Sequence, residues 1–275
     1  MINIQSDSRK IKPGDTFVAL RGISSDGHSY IPKAIENGAT KIIAEEGNYS
    51  VETVIVKDTR AYLDQYLEEH YNGFLKEMNL IAVTGTNGKT TTAKLIHDSL
   101  NMLGSKTAYI GTIGFYMGEK ICNLPNTTVD ICDLYDLLMQ AYDAGCNNVA
   151  LEISSHSAAM GRIETLKFDY AIFTNLTQDH LDFHITMNNY FKAKAILFEN
   201  LVAGDFAVIN KDDEYSERFI NAVSPTVSLY TYGIKNDADI KAKDVVFNHS
   251  GASFTCIVKD REYKVNLKMN GMFSV

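Results

Sequence analysis

Short apolar runs alternate with amphipathic segments along most of the chain. The run Leu80–Val83 is short and continuous, and it is followed by a segment with apolar residues at helical spacing. Residues 148–153 and 169–174 are rich in β-branched residues, as in parallel strands that are buried on both faces. Residues 106–114 are strand-like, and residues 131–145 carry leucines on one helical face. This alternation predicts an α/β fold with a doubly wound, mostly parallel sheet.

The pattern changes toward both ends of the chain. Short strands are predicted at 17–20, 41–44 and 51–56, with helices at 30–38 and 58–74. These elements predict a small N-terminal α/β domain over residues 1–76, followed by a larger domain over residues 77–275. After about residue 225 the runs become short and alternating, at 227–232, 239–247, 252–258 and 262–267. They predict an antiparallel β-subdomain appended to the larger sheet.

Composition and charge exclude several classes of protein. The 275 residues carry a formal net charge of −8 without a cluster of lysine and arginine, which argues against a nucleic-acid surface. No apolar run approaches the length that spans a bilayer, so we expect no membrane partner. The four cysteines show no paired spacing, which is typical of free thiols in a reducing cytoplasm.

A glycine-rich loop follows the Leu80–Val83 strand and is the strongest chemical signal. The segment Thr84–Thr91 places Gly85, Gly88, Lys89 and Thr90 between a strand and a helix. Backbone N–H groups, a helix N-terminus and a lysine together bind phosphate, and a threonine hydroxyl there can bind Mg²⁺. The general Walker pattern has glycine where this chain has Val83, so the loop is a variant. The alternative is an ordinary strand-to-helix turn with a solvated lysine.

Two further strand ends carry polar groups. Glu152 ends the apolar run that precedes Ile-Ser-Ser-His156, a position suited to a carboxylate that holds magnesium. Alternatively, Glu152 is an edge or capping residue. His180 lies in the segment Asn175–His184, which contains two histidines and two aspartates after a strand. It can bind a second metal or a phosphate oxygen, or it can be a hydrogen-bonded loop residue.

Lys194 lies inside an apolar stripe. Tyr190, Ala193, Leu197 and Phe198 follow helical spacing in the predicted helix 187–202, and Lys194 falls among them. Taken alone, the pattern favours a lysine whose ammonium reaches back to water. The alternative is an amine held in a low-dielectric site, where desolvation lowers its pKa and makes it nucleophilic. Such an amine can capture carbon dioxide as a carbamate.

Smaller polar groups leave alternatives open. The segment Asn126–Asp130 precedes a helix and can receive a phosphate or carboxylate, or simply cap that helix. The clusters Ser6–Arg9 and Ser24–His28 can bind a polar ligand, although each is also typical of a capped turn. The final residues, 270–275, show no closing helix, and we expect the chain to be part of a longer protein.

Taken together, these segments resemble the Mur ligase family and, within it, the UDP-N-acetylmuramoyl-tripeptide synthetases. The resemblance extends over essentially the whole chain. The ordered blocks that carry it are Asp7–Arg9, Pro13–Leu20, Asp26–His28, Thr84–Thr90, Thr127–Thr128, Glu152–His156, Arg162, Thr174–His184 and Tyr190–Lys194.

The resemblance implies an ATP-dependent, amide-forming ligase of peptidoglycan precursor synthesis. It implies a UDP-MurNAc-dipeptide carboxylate that is phosphorylated by ATP and then attacked by the amine of a diamino acid. The implied catalytic residues are Lys89, Glu152, His180 and Lys194. The implied ATP-binding residues are Gly85, Thr86, Asn87, Gly88, Lys89, Thr90 and Thr91. The implied Mg²⁺ ligands are Thr90, Glu152, His180 and Lys194 as N6-carboxylysine, and the implied substrate-binding residues are Ser8 for uridine with Thr127, Thr128, Ser155 and Arg162.

Two residues depart from the family pattern, and the end of the chain has its own implication. Val129 stands where the family often has proline or glycine, and Met160 stands where a glutamine is usual. The resemblance also implies a third, C-terminal domain beyond residue 275, so we expect this chain to be a monomeric fragment that does not complete ligation alone. The alternatives are a Mur-family ligase with another acceptor, of the polyglutamate or cyanophycin type, and a nucleotide-binding module without catalysis.

Overall fold

The computed structural model describes residues 2–22, 25–249 and 251–269. Ser24 of the second polar cluster and the C-terminal segment 270–275 lie outside these residues. Within them, no helix is both long enough and apolar enough to cross a bilayer.

The backbone groups into two compact units. One contains residues 1–78 together with 129–145, and the other contains residues 79–128 and 146–275. The boundary near residue 78 lies close to the predicted one at residue 76. The assignment of residues 129–145 to the first unit was not anticipated, because this helix follows the strands of the second unit in sequence.

The first unit contains a parallel sheet and several helices. Its described strands lie in the order β1-β2-β3-β4. They are β1 (Ile4–Gln5), β2 (Thr16–Val18), β3 (Lys41–Ala44) and β4 (Glu52–Ile55), and the helices that connect and follow them are α1 (Ile31–Glu36) and α2 (Thr59–Leu75). Phe17, Ile31 and Ile42 are fully buried at the centre of its core. The predicted strand 41–44 is confirmed in its bounds.

The second unit contains a sheet of eleven described strands. The strands are β5 (Asn79–Thr84), β6 (Thr107–Gly111), β7 (Gly114–Met117), β8 (Glu119–Cys122), β9 (Asn148–Glu152), β10 (Tyr170–Phe173), β11 (Phe206–Asn210), β12 (Ser228–Gly233), β13 (Ile240–Asn248), β14 (Gly251–Val258) and β15 (Arg261–Leu267). The remaining helices of the chain are α3 (Lys89–Met102), α4 (Ile131–Asp143), α5 (Ser155–Ala159), α6 (Leu181–His184), α7 (Met187–Glu199) and α8 (Ser216–Ala222). Of these, α4 belongs to the first unit.

Strand β5 lies between β10 and β9 in the middle of this sheet, and both pairings are parallel. The register aligns Val83 with Glu152 and Thr84 with Phe173. Three loops therefore leave the sheet at the same edge, after β5, β9 and β10. In α/β sheets this carboxyl edge is where ligands bind.

The fold class is confirmed, with corrections at both ends of the large sheet. The segment 227–232 was predicted to be antiparallel, but β12 pairs parallel with β11. The antiparallel strands β13 to β15 extend the same sheet, because β13 pairs with β12. At the other end, the predicted strand 106–114 is wrong in its extent. It divides into β6 and β7, which form an antiparallel pair continued by β8.

Helix α7 carries Lys194 and begins at a side-chain cap. Thr186 precedes the helix in extended conformation, and its Oγ1 accepts a hydrogen bond from Asn189 N at 3.1 Å. This bond satisfies one of the first-turn N–H groups, which have no carbonyl partner within the helix. The cap thus fixes the start of the helix that delivers Lys194.

We expect Thr186→Ala to lower the free energy of unfolding by about 1 kcal/mol, because a first-turn N–H loses its acceptor. Thr186→Ser keeps the hydroxyl and is the matched control. Urea unfolding followed by circular dichroism measures both. Equal stability of the alanine and serine variants would contradict the capping role.

Candidate active site

The glycine-rich loop is held against the loop that follows β10. Thr86 N donates to Asn175 O at 2.8 Å, and Asn87 N donates to Asn175 Oδ1 at 2.9 Å. Gly85 has a φ of +152°, and a Cβ at this position would lie 1.9 Å from Thr174 Oγ1. A larger residue than glycine therefore does not fit here, so the residue type that predicted a phosphate loop is also required by packing.

The start of α3 combines several sources of positive charge. Gly88 precedes the helix in the left-handed region, with a φ of +84°, and no side chain of the described residues caps the first turn. Thr90 and Thr91 lie in that turn. Lys89 Nζ donates to Gly85 O and to Thr86 O, both at 2.9 Å, so the ammonium closes the loop. Burial lowers the pKa of Lys89. A helix N-terminus and a lysine in one loop match the donors that phosphate requires.

Glu152 ends β9 with a side chain that is only 1% exposed. Its Oε2 accepts from Thr90 Oγ1 at 2.8 Å and from Thr112 Oγ1 at 3.0 Å. Its Oε1 accepts from Thr112 N at 3.0 Å and from the hydroxyl of Tyr109. The predicted pair of Thr90 and Glu152 is therefore in direct contact, as the register of β5 and β9 requires.

Lys194 is buried, with 2% of its surface exposed. Its Nζ donates to Gly85 O at 2.8 Å and lies 4.7 Å from the centre of the Tyr190 ring. Burial lowers the pKa of Lys194 well below its usual value, and the charge of Lys89 lowers it further. The ammonium does not reach back to water, so the pattern-based preference for a solvated lysine is wrong. Lys89 and Lys194 share one acceptor, the Gly85 carbonyl.

A group of histidines lies beside Lys194. His180 adopts a φ of +51°, and its ring lies 4.8 Å from that of His156 and 6.1 Å from that of Tyr190. His184 stacks on Tyr190 at 5.0 Å, and its Nε2 lies 2.9 Å from Ser155 Oγ. The pKa values of His156 and His184 are lowered, first by burial and then by neighbouring positive groups. Tyr190 therefore links His180, Lys194 and the glycine loop, since its hydroxyl lies 3.1 Å from Thr86 Oγ1.

The candidate substrate residues of the second unit adjoin Glu152. Thr128 Oγ1 donates to Glu152 O at 2.8 Å, and Arg162 Nη1 donates to Thr128 O at 3.3 Å. Thr127 Oγ1 lies 3.0 Å from Thr112 Oγ1. Together with Ser155, these residues are connected to the glycine loop through hydrogen bonds and ring contacts.

Ser8 belongs to the first unit. It is buried, and its carbonyl accepts from Asn37 Nδ2 at 2.8 Å. Asp7 caps the short turn that contains it by accepting from Arg9 N at 3.0 Å. The polar cluster Ser6–Arg9 thus forms a capped turn, which was one of its two predicted readings.

The donor atoms fit a hard cation at one position. Thr90 Oγ1 and Glu152 Oε2 are oxygens in contact, and Mg²⁺ commonly binds through one carboxylate while it retains several waters. No group of three or more histidine, cysteine, aspartate or glutamate side chains in the described part of the chain is arranged to hold a metal. His180 and Lys194 both lie against the Tyr190 ring, which makes them neighbours.

Tyr109, Thr112 and Tyr190 are site residues that the sequence patterns did not identify. Tyr109 and Thr112 lie in and just after β6, where the sequence indicated only a strand. Tyr190 was assigned to the apolar stripe of a helix. An aromatic residue in an apolar pattern carries no sign that its hydroxyl reaches a polar group.

Family models match nearly the whole chain. The model described as "Mur ligase middle domain" matches residues 83–275, and the model described as "Mur ligase family, catalytic domain" matches residues 2–73. These matches confirm the resemblance that the sequence motifs indicated.

Curated relatives agree with this assignment. The chain is 36% identical over 280 residues to a protein of Bacillus cereus and 39% identical over 279 residues to one of Clostridium tetani. Both are named UDP-N-acetylmuramoyl-L-alanyl-D-glutamate--2,6-diaminopimelate ligase. Each alignment covers 99% of this chain but 57% and 56% of the relative. The chain thus spans little more than half the length of the curated relatives it matches.

Solved structures show the same fold. A structure of a UDP-N-acetylmuramoyl-L-alanyl-D-glutamate--2,6-diaminopimelate ligase matches with a TM-score of 0.84 at 29% identity, over 98% of this chain and 56% of that one. A crystal structure of MurF from Acinetobacter baumannii matches with a TM-score of 0.70 at 20% identity, over 98% of this chain and 56% of that one. The second likeness concerns the fold alone.

We expect Lys194→Met to raise the free energy of unfolding near neutral pH by about 1 kcal/mol, because methionine fills a similar volume without a buried amine. The pKa of Lys194 is depressed in the folded state. Between this depressed pKa and the ordinary lysine pKa, the unfolded state binds more protons than the folded state. In that pH range Lys194 therefore makes the free energy of unfolding rise with pH. The variant should show a smaller rise between about pH 7 and about pH 9.

Urea unfolding in buffers freed of carbon dioxide measures this effect. Lys192→Met is the matched control, since Lys192 lies on the same helix but is exposed. An identical pH dependence in wild type and Lys194→Met would contradict the depressed pKa of Lys194.

Proposed function

The chain belongs to the Mur ligase family, and from this premise we propose that it holds ATP and a UDP-MurNAc peptide for ATP-dependent amide-bond formation. The observation that carries the proposal is the convergence of Lys89 and Lys194 on the Gly85 carbonyl, next to the Thr90–Glu152 pair. Two cationic side chains and a carboxylate at the carboxyl edge of an α/β sheet suit a phosphorylated ligand.

We propose UDP-MurNAc-L-Ala-D-Glu as the acceptor and 2,6-diaminopimelate as the amino acid. Support comes from the names of the two curated relatives. Because the chain spans little more than half of their length, the complete ligation is proposed for the protein to which this span corresponds.

The proposed chemistry has to bring two anions together. A substrate carboxylate attacks the γ-phosphorus of ATP, and ADP leaves. The incoming amine then attacks the acyl carbon of the acyl-phosphate, phosphate leaves, and the nitrogen loses a proton to give the amide. Lys89 and the N-terminus of α3 would bind the phosphate oxygens through the loop Gly85–Thr91. Their positive charge lowers the repulsion between carboxylate and phosphate, which is the main electrostatic barrier to the first step.

Lys194 is proposed to act as a carbamate. Its burial lowers the pKa of the amine, so a neutral, nucleophilic nitrogen is accessible at moderate pH. The nitrogen would form a bond to the carbon of carbon dioxide and release a proton. The side chain would thereby change from a cation that repels Lys89 into an anion that attracts it.

Mg²⁺ fits this arrangement through the residues that are present. Thr90 and Glu152 would hold one ion, and His180 with the Lys194 carbamate would serve a second. Bound Mg²⁺ supplies charge neutralisation on the phosphate oxygens. The protein itself orients these side chains, through β9 for Glu152 and through α7 for Lys194.

The remaining predicted residues are proposed to hold the nucleotide substrate. Thr127, Thr128, Ser155 and Arg162 would contact its phosphate or peptide part, and Ser8 would contact uridine. We further propose a cytoplasmic location, since the spacing of the cysteines is typical of unpaired thiols. We also propose that the protein is a monomer.

The ATP site is tested by calorimetry with ADP and Mg²⁺. We expect Lys89→Ala to weaken ADP binding at least about tenfold, because a charge-assisted hydrogen bond to phosphate is lost. Lys94→Ala is the control, since it removes the same charge from the surface of the same helix. If wild type does not bind ADP, or if both variants bind it as wild type does, the proposed ATP site is wrong.

The substrate site is tested by titration with UDP-MurNAc-L-Ala-D-Glu. We expect Arg162→Ala to weaken its binding at least about tenfold through loss of a charged donor. Arg261→Ala is the control, because Arg261 is exposed on the outer strand β15. Equal affinity for UDP-MurNAc-L-Ala, which lacks the glutamate, would favour a family member with a different acceptor.

A further inference from the structure

The carboxylate of Glu152 receives four hydrogen bonds from the described residues, two on each oxygen. An ionised carboxylate offers about four lone-pair positions, so all of them are occupied. A metal ion that binds Glu152 must therefore displace at least one of these donors. Which donor gives way determines which oxygen faces the metal.

The donors on the two oxygens differ in kind. Oε2 is bound by the hydroxyls of Thr90 and Thr112, which rotate freely about their Cβ–Oγ bonds. Oε1 is bound by the Thr112 backbone N–H and by the Tyr109 phenol. The backbone N–H cannot rotate away from Oε1. Release of this oxygen therefore depends on whether the phenol can move.

Tyr109 is fixed by its surroundings. It is fully buried and belongs to the cluster in which α3 packs on the sheet, with Val83 and Ala93. Its ring meets Tyr116 edge to face at 5.6 Å and His97 at 6.4 Å. The phenol hydroxyl donates its hydrogen to Oε1, so it is oriented toward Glu152.

Gly111 closes the pocket around this contact. A Cβ at residue 111 would lie 2.2 Å from Glu152 Oε1 and 2.5 Å from Tyr109 Oη. The space beside Oε1 is therefore filled by the backbone of β6. A side chain from residue 111 cannot share it with the phenol and the carboxylate.

We propose that Tyr109 is a positioning residue, whose phenol and the Thr112 N–H fix Oε1 of Glu152 so that Oε2 faces Thr90 and the divalent cation that accompanies the nucleotide. The inference rests on the proposed function, because it takes Thr90 and Glu152 as the place of that cation. Tyr109 itself touches neither metal nor substrate. It acts through the orientation of Glu152.

Removing the phenol hydroxyl has a specific expected effect. Oε1 would keep only the Thr112 N–H, and the carboxylate would be held less firmly about its last torsion. Loss of a hydrogen-bond partner that orients a metal ligand typically weakens metal binding about tenfold or more. Binding of the nucleotide without metal does not involve Glu152 and should not change.

The experiment is a titration of Mg²⁺ against ADP binding, with a parallel titration of ADP in the presence of a chelator. We expect Tyr109→Phe to weaken the apparent affinity for Mg²⁺ about tenfold and to leave metal-free ADP binding unchanged. Tyr116→Phe is the matched control, because it removes a hydroxyl from the same aromatic cluster without a contact to Glu152. In a Glu152→Gln background, Tyr109→Phe should have no further effect on the Mg²⁺ dependence.

A second variant guards against a simple loss of folding. Gly111→Ala would place a methyl group against the phenol and Oε1 of Glu152, so it should produce the same Mg²⁺-specific loss. Circular dichroism checks that each variant is folded. If wild type binds ADP with Mg²⁺ but Tyr109→Phe has the wild-type Mg²⁺ dependence, the role of Tyr109 is refuted and the proposed function stands. If wild-type ADP binding does not depend on Mg²⁺, the proposed metal site fails, and the inference fails with it.

Discussion

Two ammonium groups that share one carbonyl oxygen are the physical constraint on which the candidate site depends. Lys89 and Lys194 come from different helices and both donate to Gly85 O. Two like charges this close in a buried region repel each other strongly, so the arrangement favours loss of one proton or arrival of an anion. Both outcomes suit the phosphate chemistry proposed for this site, since one gives a reactive amine and the other supplies the proposed anionic ligand.

The sheet supplies the positions that this constraint requires. Parallel pairing of β5 with β9 and β10 places Gly85, Glu152 and Thr174 at the same edge of the sheet. The close approach of Gly85 to Thr174 then determines the path of the loop, because no Cβ fits between them. Helix α7, which is capped by Thr186, brings Lys194 to the same loop, where its ammonium donates to Gly85 O.

Much of this was predictable because it depends on local sequence. Strand β3 has the predicted bounds. Strand β5 and its loop were predictable because an apolar run ends at glycines, which adopt the positive φ that the loop requires. The antiparallel pair β6–β7 was missed because apolar residues lie on both sides of the turn that Gly111 and Gly114 flank, and together they resemble one strand. Taken alone, the helical pattern misjudged the burial of Lys194, whereas the family resemblance implied a place for it in the site. Helical spacing identifies the face that carries a lysine, but it does not say whether a carbonyl or water receives the ammonium. The hydroxyl contacts of Tyr109 and Tyr190 depend on tertiary packing and leave no periodic signal.

Strand β15, at one of the two edges of the described large sheet, has a consequence of a different kind. An outer strand has unpaired backbone groups along one side, and such strands can recruit another chain and start aggregation. Arg261, Glu262 and Lys264 are exposed along β15. Charged side chains on an edge strand oppose intermolecular strand addition, because pairing would remove water from them. Self-association through this edge should therefore be disfavoured by these side chains, which lie six strands away from β5 and its glycine loop.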